Sequence, residues 1–194
     1  RSVLNAIEKT IQCKWLILAE GIQMALQGKF VINDADFSPL TFYGVGTFMA
    51  FSGNGDYRNR GGCRAIPDSG PIPPGKYWIV QRGQGGIWSK IKAGAKDDFN
   101  RVFHHAQFGH NEWFALYRDD RSIDDGTWID AVWRGHFRLH PGVTSKGCIT
   151  LKHNSDFALI RNVLLRTPQI PVPCMKSLMT FGSIEVISNG NTCP

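Results

Sequence analysis

The stretch Phe137-Arg138-Leu139-His140-Pro141-Gly142-Val143-Thr144-Ser145-Lys146-Gly147-Cys148-Ile149-Thr150-Leu151 alternates at both ends and breaks in the middle. Phe137 and Leu139, then Ile149 and Leu151, are apolar, while Arg138, His140, Cys148 and Thr150 fall between them. That is the period-2 pattern of two half-buried strands. The connection, Pro141 to Gly147, holds two glycines, a proline and two hydroxyl residues, which is loop chemistry. Antiparallel pairing is expected, with His140 facing Cys148 and their Cβ atoms about 4.5 to 5.5 Å apart.

A histidine beside a cysteine has a chemical meaning. A free thiol titrates near pH 8.5, so at neutral pH little of it is nucleophilic, and a neighbouring imidazole can take its proton. Cys148 is the candidate nucleophile and His140 the candidate base. Gly147 leaves the backbone N–H of Cys148 open as an oxyanion hole, and the carbonyl of Pro141 or Gly142 can fix the imidazole tautomer. Arg138 is placed to hold a substrate carboxylate bidentately. Taken singly, a strand cysteine is more often a small buried hydrophobe and a lone histidine a satisfied core residue. Their joint placement in Ser145-Lys146-Gly147-Cys148 raises the catalytic reading.

Outward from this loop the chain reads as short β-rich runs. Lys29 to Asn33 and Thr41 to Phe51 are expected strands, broken by Asp34-Ala35-Asp36 and Ser38-Pro39. Asn54 to Pro74 is rich in glycine and proline and reads as a long loop bordering the cleft. Gly75 to Gln81, Trp113 to Tyr117 and Gly182 to Ser188 resume as strands. The aromatic segment Gly83 to Asp130, with Trp88, Phe99 and Phe103, reads as a cap or wall over the cleft. Its histidines, His104, His105 and His110, lack metal-ligand spacing, so no metal is expected. Asn154 or Ser155 can cap a helix to about Arg166 with Phe157, Ile160, Val163 and Leu164 on one face, ended by Thr167-Pro168. The expected class is mainly β with few helices (α+β), in one domain over residues 24–194. Residues 1–23, where Val3, Leu4, Ile7 and Ile11 recur at helical spacing, are expected to be an N-terminal helical segment, either packed on the domain or belonging to a longer precursor. Its apolar run Trp15 to Ala19 is too short to span a bilayer.

His140 and the Ser145, Gly147 and Cys148 positions resemble the active-site motif of the L,D-transpeptidase superfamily, in which a histidine precedes Ser/Thr-His-Gly-Cys. Lys146 stands where that family's second histidine usually does, and the loop is shorter than in typical cell-wall enzymes. The shortened motif is similar to that of L,D-transpeptidase-like toxins delivered by type VI secretion systems. Phe48-Met49-Ala50-Phe51-Ser52-Gly53-Asn54-Gly55 and Asp68-Ser69-Gly70-Pro71-Ile72-Pro73-Pro74-Gly75-Lys76-Tyr77-Trp78-Ile79 extend the likeness, which covers roughly Met24 to Ile187. The resemblance implies a β-sandwich or barrel with a helix after the cysteine strand. It also implies attack of Cys148 on peptidoglycan stem tetrapeptides at the L-centre of diaminopimelate, releasing D-alanine to water or exchanging it for a D-amino acid. Substrate contacts are expected from Arg138, Ser145 and Lys146. No cofactor is implied. The implied partners are a secretion apparatus and a cognate immunity protein, the protein being made in the bacterial cytoplasm and acting in the target-cell periplasm.

Two other readings compete. A cell-wall cysteine endopeptidase or amidase of the papain-like kind generally has its cysteine before its histidine in the chain, the reverse of the order here. A non-catalytic peptidoglycan-binding or immunity-type module would leave both residues structural. The net charge of +6 points to acidic partners. Its basic residues are scattered, without a basic run or a recognition signature, which argues against nucleic acid. Of Cys13, Cys63, Cys148, Cys174 and Cys193, at least one stays unpaired within a monomer because the number is odd. Cys148 is the natural one. Cys174 and Cys193 flank the final strand and can staple the C-terminus in an oxidising periplasm; the alternative is that all five are thiols.

Overall fold

The computed structural model describes residues 25–82, 108–173 and 175–194. The expected N-terminal helical segment, Cys13, Cys174, Trp88, Phe99, Phe103, His104 and His105 lie outside these residues. Twelve strands and one α-helix are described: β1 (Leu26–Ile32), β2 (Ser38–Phe42), β3 (Gly46–Phe51), β4 (Gly75–Gln81), β5 (Phe114–Arg118), β6 (Gly126–Ile129), β7 (Val132–Gly135), β8 (Arg138–Pro141), β9 (Ile149–Leu151), α1 (Asn154–Arg166), β10 (Ile170–Val172), β11 (Met175–Thr180) and β12 (Gly182–Ser188). Eight strands close a barrel in the order β1-β12-β4-β5-β8-β9-β3-β2, and β6-β7 and β10-β11 stand apart as hairpins. The mainly β expectation with a helix after the cysteine strand is what the molecule shows.

The pleat decides which residues fill the barrel. Phe30, Ile32, Leu40, Phe42, Tyr77, Ile79, Phe114, Leu116, Leu139, Ile149, Leu151, Ile184 and Val186 share one buried cluster, each strand contributing alternate positions. β4 and β5 are apolar on both faces. Trp78, Val80, Ala115 and Tyr117 point the other way and form a second cluster with Val172, Met175 and Leu178 of the β10-β11 hairpin. That outer layer explains why Tyr77-Trp78-Ile79-Val80 is continuously apolar: both faces are covered. In β1, Gly28 admits the Phe42 ring, since a Cβ there would sit 2.9 Å from it.

Several boundaries differ from expectation: β1 begins at Leu26 and ends at Ile32 where Lys29 to Asn33 is expected, and β5 is shifted by one residue to Phe114–Arg118. Thr41 to Phe51 is a hairpin, turning at Tyr43 to Val45 with Gly44 in the left-handed region at φ 79°, where glycine alone is unstrained. Ser38-Pro39 starts β2 instead of breaking a strand. The ladder to β1 covers only Leu40 to Phe42, so the missing Pro39 N–H costs no bond on that side. The helix spans Asn154–Arg166 as expected and buries Phe157, Ile160 and Leu164. Its N-cap is His153, without a side-chain cap bond. It packs on β8 and β9. Among the described residues no helix is long and apolar enough to cross a membrane.

The disulfide joins Cys63 to Cys193, which corrects the expected Cys174–Cys193 pair. The C-terminal residues run beside the loop after β3: Gly62 N–H donates to Thr192 O at 3.1 Å, and the Asp34 carboxylate accepts from Gly61 N–H at 3.2 Å and Thr192 N–H at 3.4 Å. This brings Cys193 to Cys63. Among the described cysteines Cys148 is the free one.

Candidate active site

β8 and β9 are neighbours, but they run parallel, with Leu139 opposite Ile149, His140 opposite Thr150 and Pro141 opposite Leu151. The expected antiparallel facing of His140 and Cys148 is therefore corrected. β9 enters the barrel antiparallel to β3, and β8 antiparallel to β5, which sets both directions. Parallel neighbours ordinarily need a long crossover. Here the strands span so few residues that the short loop can run back along them. Buried Ser145 holds the loop: its hydroxyl donates to Cys148 O at 2.8 Å and accepts Gly53 N–H at 3.3 Å. The expected substrate contact of Ser145 thus falls on a side chain engaged within the fold, whereas Lys146, next along the loop, is exposed.

His140 is fully buried. Its Nδ1 lies 2.9 Å from Pro141 O; a carbonyl only accepts, so Nδ1 carries the proton and Nε2 holds the lone pair. This is the tautomer expected from a Pro141 carbonyl. Thr150 Oγ1 donates to Nε2 at 3.2 Å. The Trp113 ring stacks on the imidazole at 4.2 Å and 20°, and His110 packs on Trp113 at 4.3 Å. Burial drives the His140 pKa down to about 4; the Pro141 carbonyl opposes this, and the charges of His110, Arg138 and Arg82 add to it.

The Cys148 thiol is 6% exposed and directs its S–H toward His136 O at 3.8 Å. Burial pushes it up to about 11. The Arg138 guanidinium, the Arg138 backbone N–H and Arg82 pull it down, and Asp125 pushes it up. Thiol and imidazole therefore rest uncharged. Gly147 has φ 96° and a Cβ there would lie 2.7 Å from Arg134 Nη2. The conformation and the space both require glycine. Arg134, itself buried, donates to the carbonyls of Arg64, Gly70 and Pro71, so the long loop after β3 is fastened beneath the Cys148 turn. That loop borders the site, as its length and composition predict.

Arg138 does not present an open fork. Its Nη1 and Nη2 lie 2.6 and 2.5 Å from the two oxygens of Asp125, and this pair occupies the geometry expected for a substrate carboxylate. Asp125 also meets His136 Nδ1 at 3.1 Å. Asp125, His136, Arg134, Thr150 and Arg82 are site neighbours that sequence reasoning missed. The one signal within reach was the Asp125-Gly126 dipeptide, which marks a turn before a strand.

No curated protein matches the chain. The family model of the Tlde1 domain matches residues 46–175, from the start of β3 to the start of β11 and so across the long loop, the parallel pair with His140 and Cys148, and the helix behind them. Most of the chain is covered, and it belongs to the Tlde1 domain family, a family of type VI secretion effectors.

Proposed function

We propose that this effector is a peptidoglycan-modifying cysteine enzyme that acts on stem tetrapeptides in the target-cell periplasm, with Cys148 as nucleophile and His140 as general base. The observation that carries the reading is the tautomer of His140. With its Nδ1 proton held by Pro141 O, the basic nitrogen is Nε2, on the strand beside the one that Cys148 precedes. A thiol raised to about 11 needs a base during the step, since a resting thiolate would be scarce.

In the proposed reaction the Cys148 proton passes to His140 Nε2, Thr150 giving up its bond there, as sulfur attacks the carbonyl of the L-centre of diaminopimelate. The backbone N–H groups at Gly147 and Cys148 receive the oxyanion. The C–N bond breaks, His140 returns the proton to the departing D-alanine amine, and the stem peptide remains as a thioester. Water then gives the tripeptide (L,D-carboxypeptidase activity), and a D-amino acid amine gives an exchange product (L,D-transpeptidase activity). Lys146, exposed beside Gly147, is the proposed contact for a stem-peptide carboxylate. Both outcomes remove the tetrapeptide donors used for cross-linking. The family implies a secretion apparatus and an immunity partner.

The test is incubation with disaccharide tetrapeptides, with and without a D-amino acid, read by mass spectrometry. Loss of D-alanine or its substitution is expected, and Cys148→Ala should abolish both. Cleavage elsewhere in the stem would assign a cysteine endopeptidase or amidase instead. Unchanged muropeptides with the intact protein would leave a binding module.

A further inference from the structure

The turn that meets the Cys148 sulfur is gripped from outside by one carboxylate. Asp125, immediately before β6, takes Arg138 bidentately at 2.6 and 2.5 Å and His136 Nδ1 at 3.1 Å. Its own carbonyl accepts the His136 N–H at 2.8 Å. His136 and Arg138 bracket Phe137, a core residue, and the backbone of this turn meets the sulfur: His136 O is 3.8 Å from Sγ. Asp125 and His136 have φ of 60° and 59°. Left-handed non-glycine residues persist where surrounding contacts over-determine them.

We propose that Asp125 is the positioning residue of the nucleophile, holding His136 and Arg138 so that the backbone between them seats the Cys148 sulfur and the Arg138 guanidinium stays beside it. This rests on the reading of Cys148 as nucleophile. Asp125 touches no reacting atom and acts through its two partners. It has two effects of opposite sign. It fixes the turn, and it offsets the charge by which Arg138 favours the thiolate. The other charged groups that act on the sulfur are Arg82 after β4 and Arg134 on β7; His110 and His140 pack on Trp113. Arg82 and Arg134 favour the thiolate whether or not Asp125 is charged.

The experiment is iodoacetamide labelling of the full chain between pH 6 and 11.5, with the Cys148 peptide quantified by mass spectrometry. Asp125→Asn keeps the shape and removes the charge; the labelling midpoint should fall by about one pH unit, a tenfold gain in thiolate below it. Turnover on tetrapeptides should drop at least tenfold in the same variant, because the sulfur is no longer held. Arg138→Gln should move labelling the other way, at least fivefold slower at pH 9. An unchanged midpoint in folded Asp125→Asn overturns the proposal. So does faster labelling in Arg138→Gln, which would mean that both changes merely loosen the turn and wet the thiol. If Asp125→Asn does not fold, the direction of the Arg138→Gln shift decides. Labelling needs no peptidoglycan, so an intact protein inert toward tetrapeptides would count against the enzymatic reading and not against the seating of the sulfur.

Discussion

His140 is neutral because it is buried, and that has a cost in acid. Its ordinary value is 6.5 and in the fold it is held at about 4. Between those values the unfolded chain takes up a proton that the folded chain refuses, so stability falls as pH falls, by about 1.4 kcal/mol per unit and about 3 kcal/mol in all. Asp125 has its own, lower window. Burial raises its pKa, but its bonds to Arg138 and His136 outweigh this and hold it at about 2 against 3.8. The stability it adds is complete above pH 3.8 and is lost as pH falls through about 2. Urea midpoints at pH 7, 6, 5 and 4 should therefore decline steadily, and His140→Gln should flatten most of the slope. His110, also lowered by burial and by Arg82, accounts for a remainder. At this scale the sequence disclosed His140, Cys148, Gly147 and the Pro141 carbonyl, because each belongs to one short loop. Asp125 stayed hidden because its partners lie eleven and thirteen positions away, joined only by a hairpin that alternation did not announce.

That hairpin, β6-β7, carries Trp128 opposite Trp133, edge to face at 5.5 Å. Both rings are largely exposed, 66% and 42%, so they hold the two strands to each other more than to the barrel. A cross-strand aromatic pair is worth about 0.5–1.5 kcal/mol. Trp128→Ala should speed amide hydrogen exchange in Gly126–Gly135 by roughly two- to thirteenfold, which is that energy expressed as a ratio, and leave the exchange of β4 and β12 unchanged. Strand legibility followed burial. β4 reads at its observed limits because Tyr77 to Val80 is a continuous apolar run, and β12 because Ile184 and Val186 alternate with Ser183 and Glu185. Pro168, Pro171 and Pro173 carry breaker signals around β10, Met175–Thr180 lacks strict alternation, and only the apolar outer faces of β4 and β5 explain why a hairpin lies over them. The direction of β9 was beyond reach from the loop alone, for it is set by β3, far upstream.

Across the whole molecule, the Cys63–Cys193 bond spans 130 residues, so it removes much freedom from the unfolded chain, about 5 kcal/mol in the loop-entropy limit. Reduction should lower the melting temperature by several degrees in a thermal scan with and without phosphine reductant. Cys193→Ser should melt at the lower temperature under both conditions. The parallel partnership of β1 with β12, where Leu26 meets Gly182, extends the same logic to time. β12 is also the neighbour of β4, so a growing chain that has not reached Gly182 leaves β1 and β4 as open edges with no ladder between them. Folding governed by such distant pairings is slow. The barrel is sealed by a keystone that arrives after Cys148, and a prematurely terminated polypeptide would carry the Cys148 turn without the closed wall that shapes it.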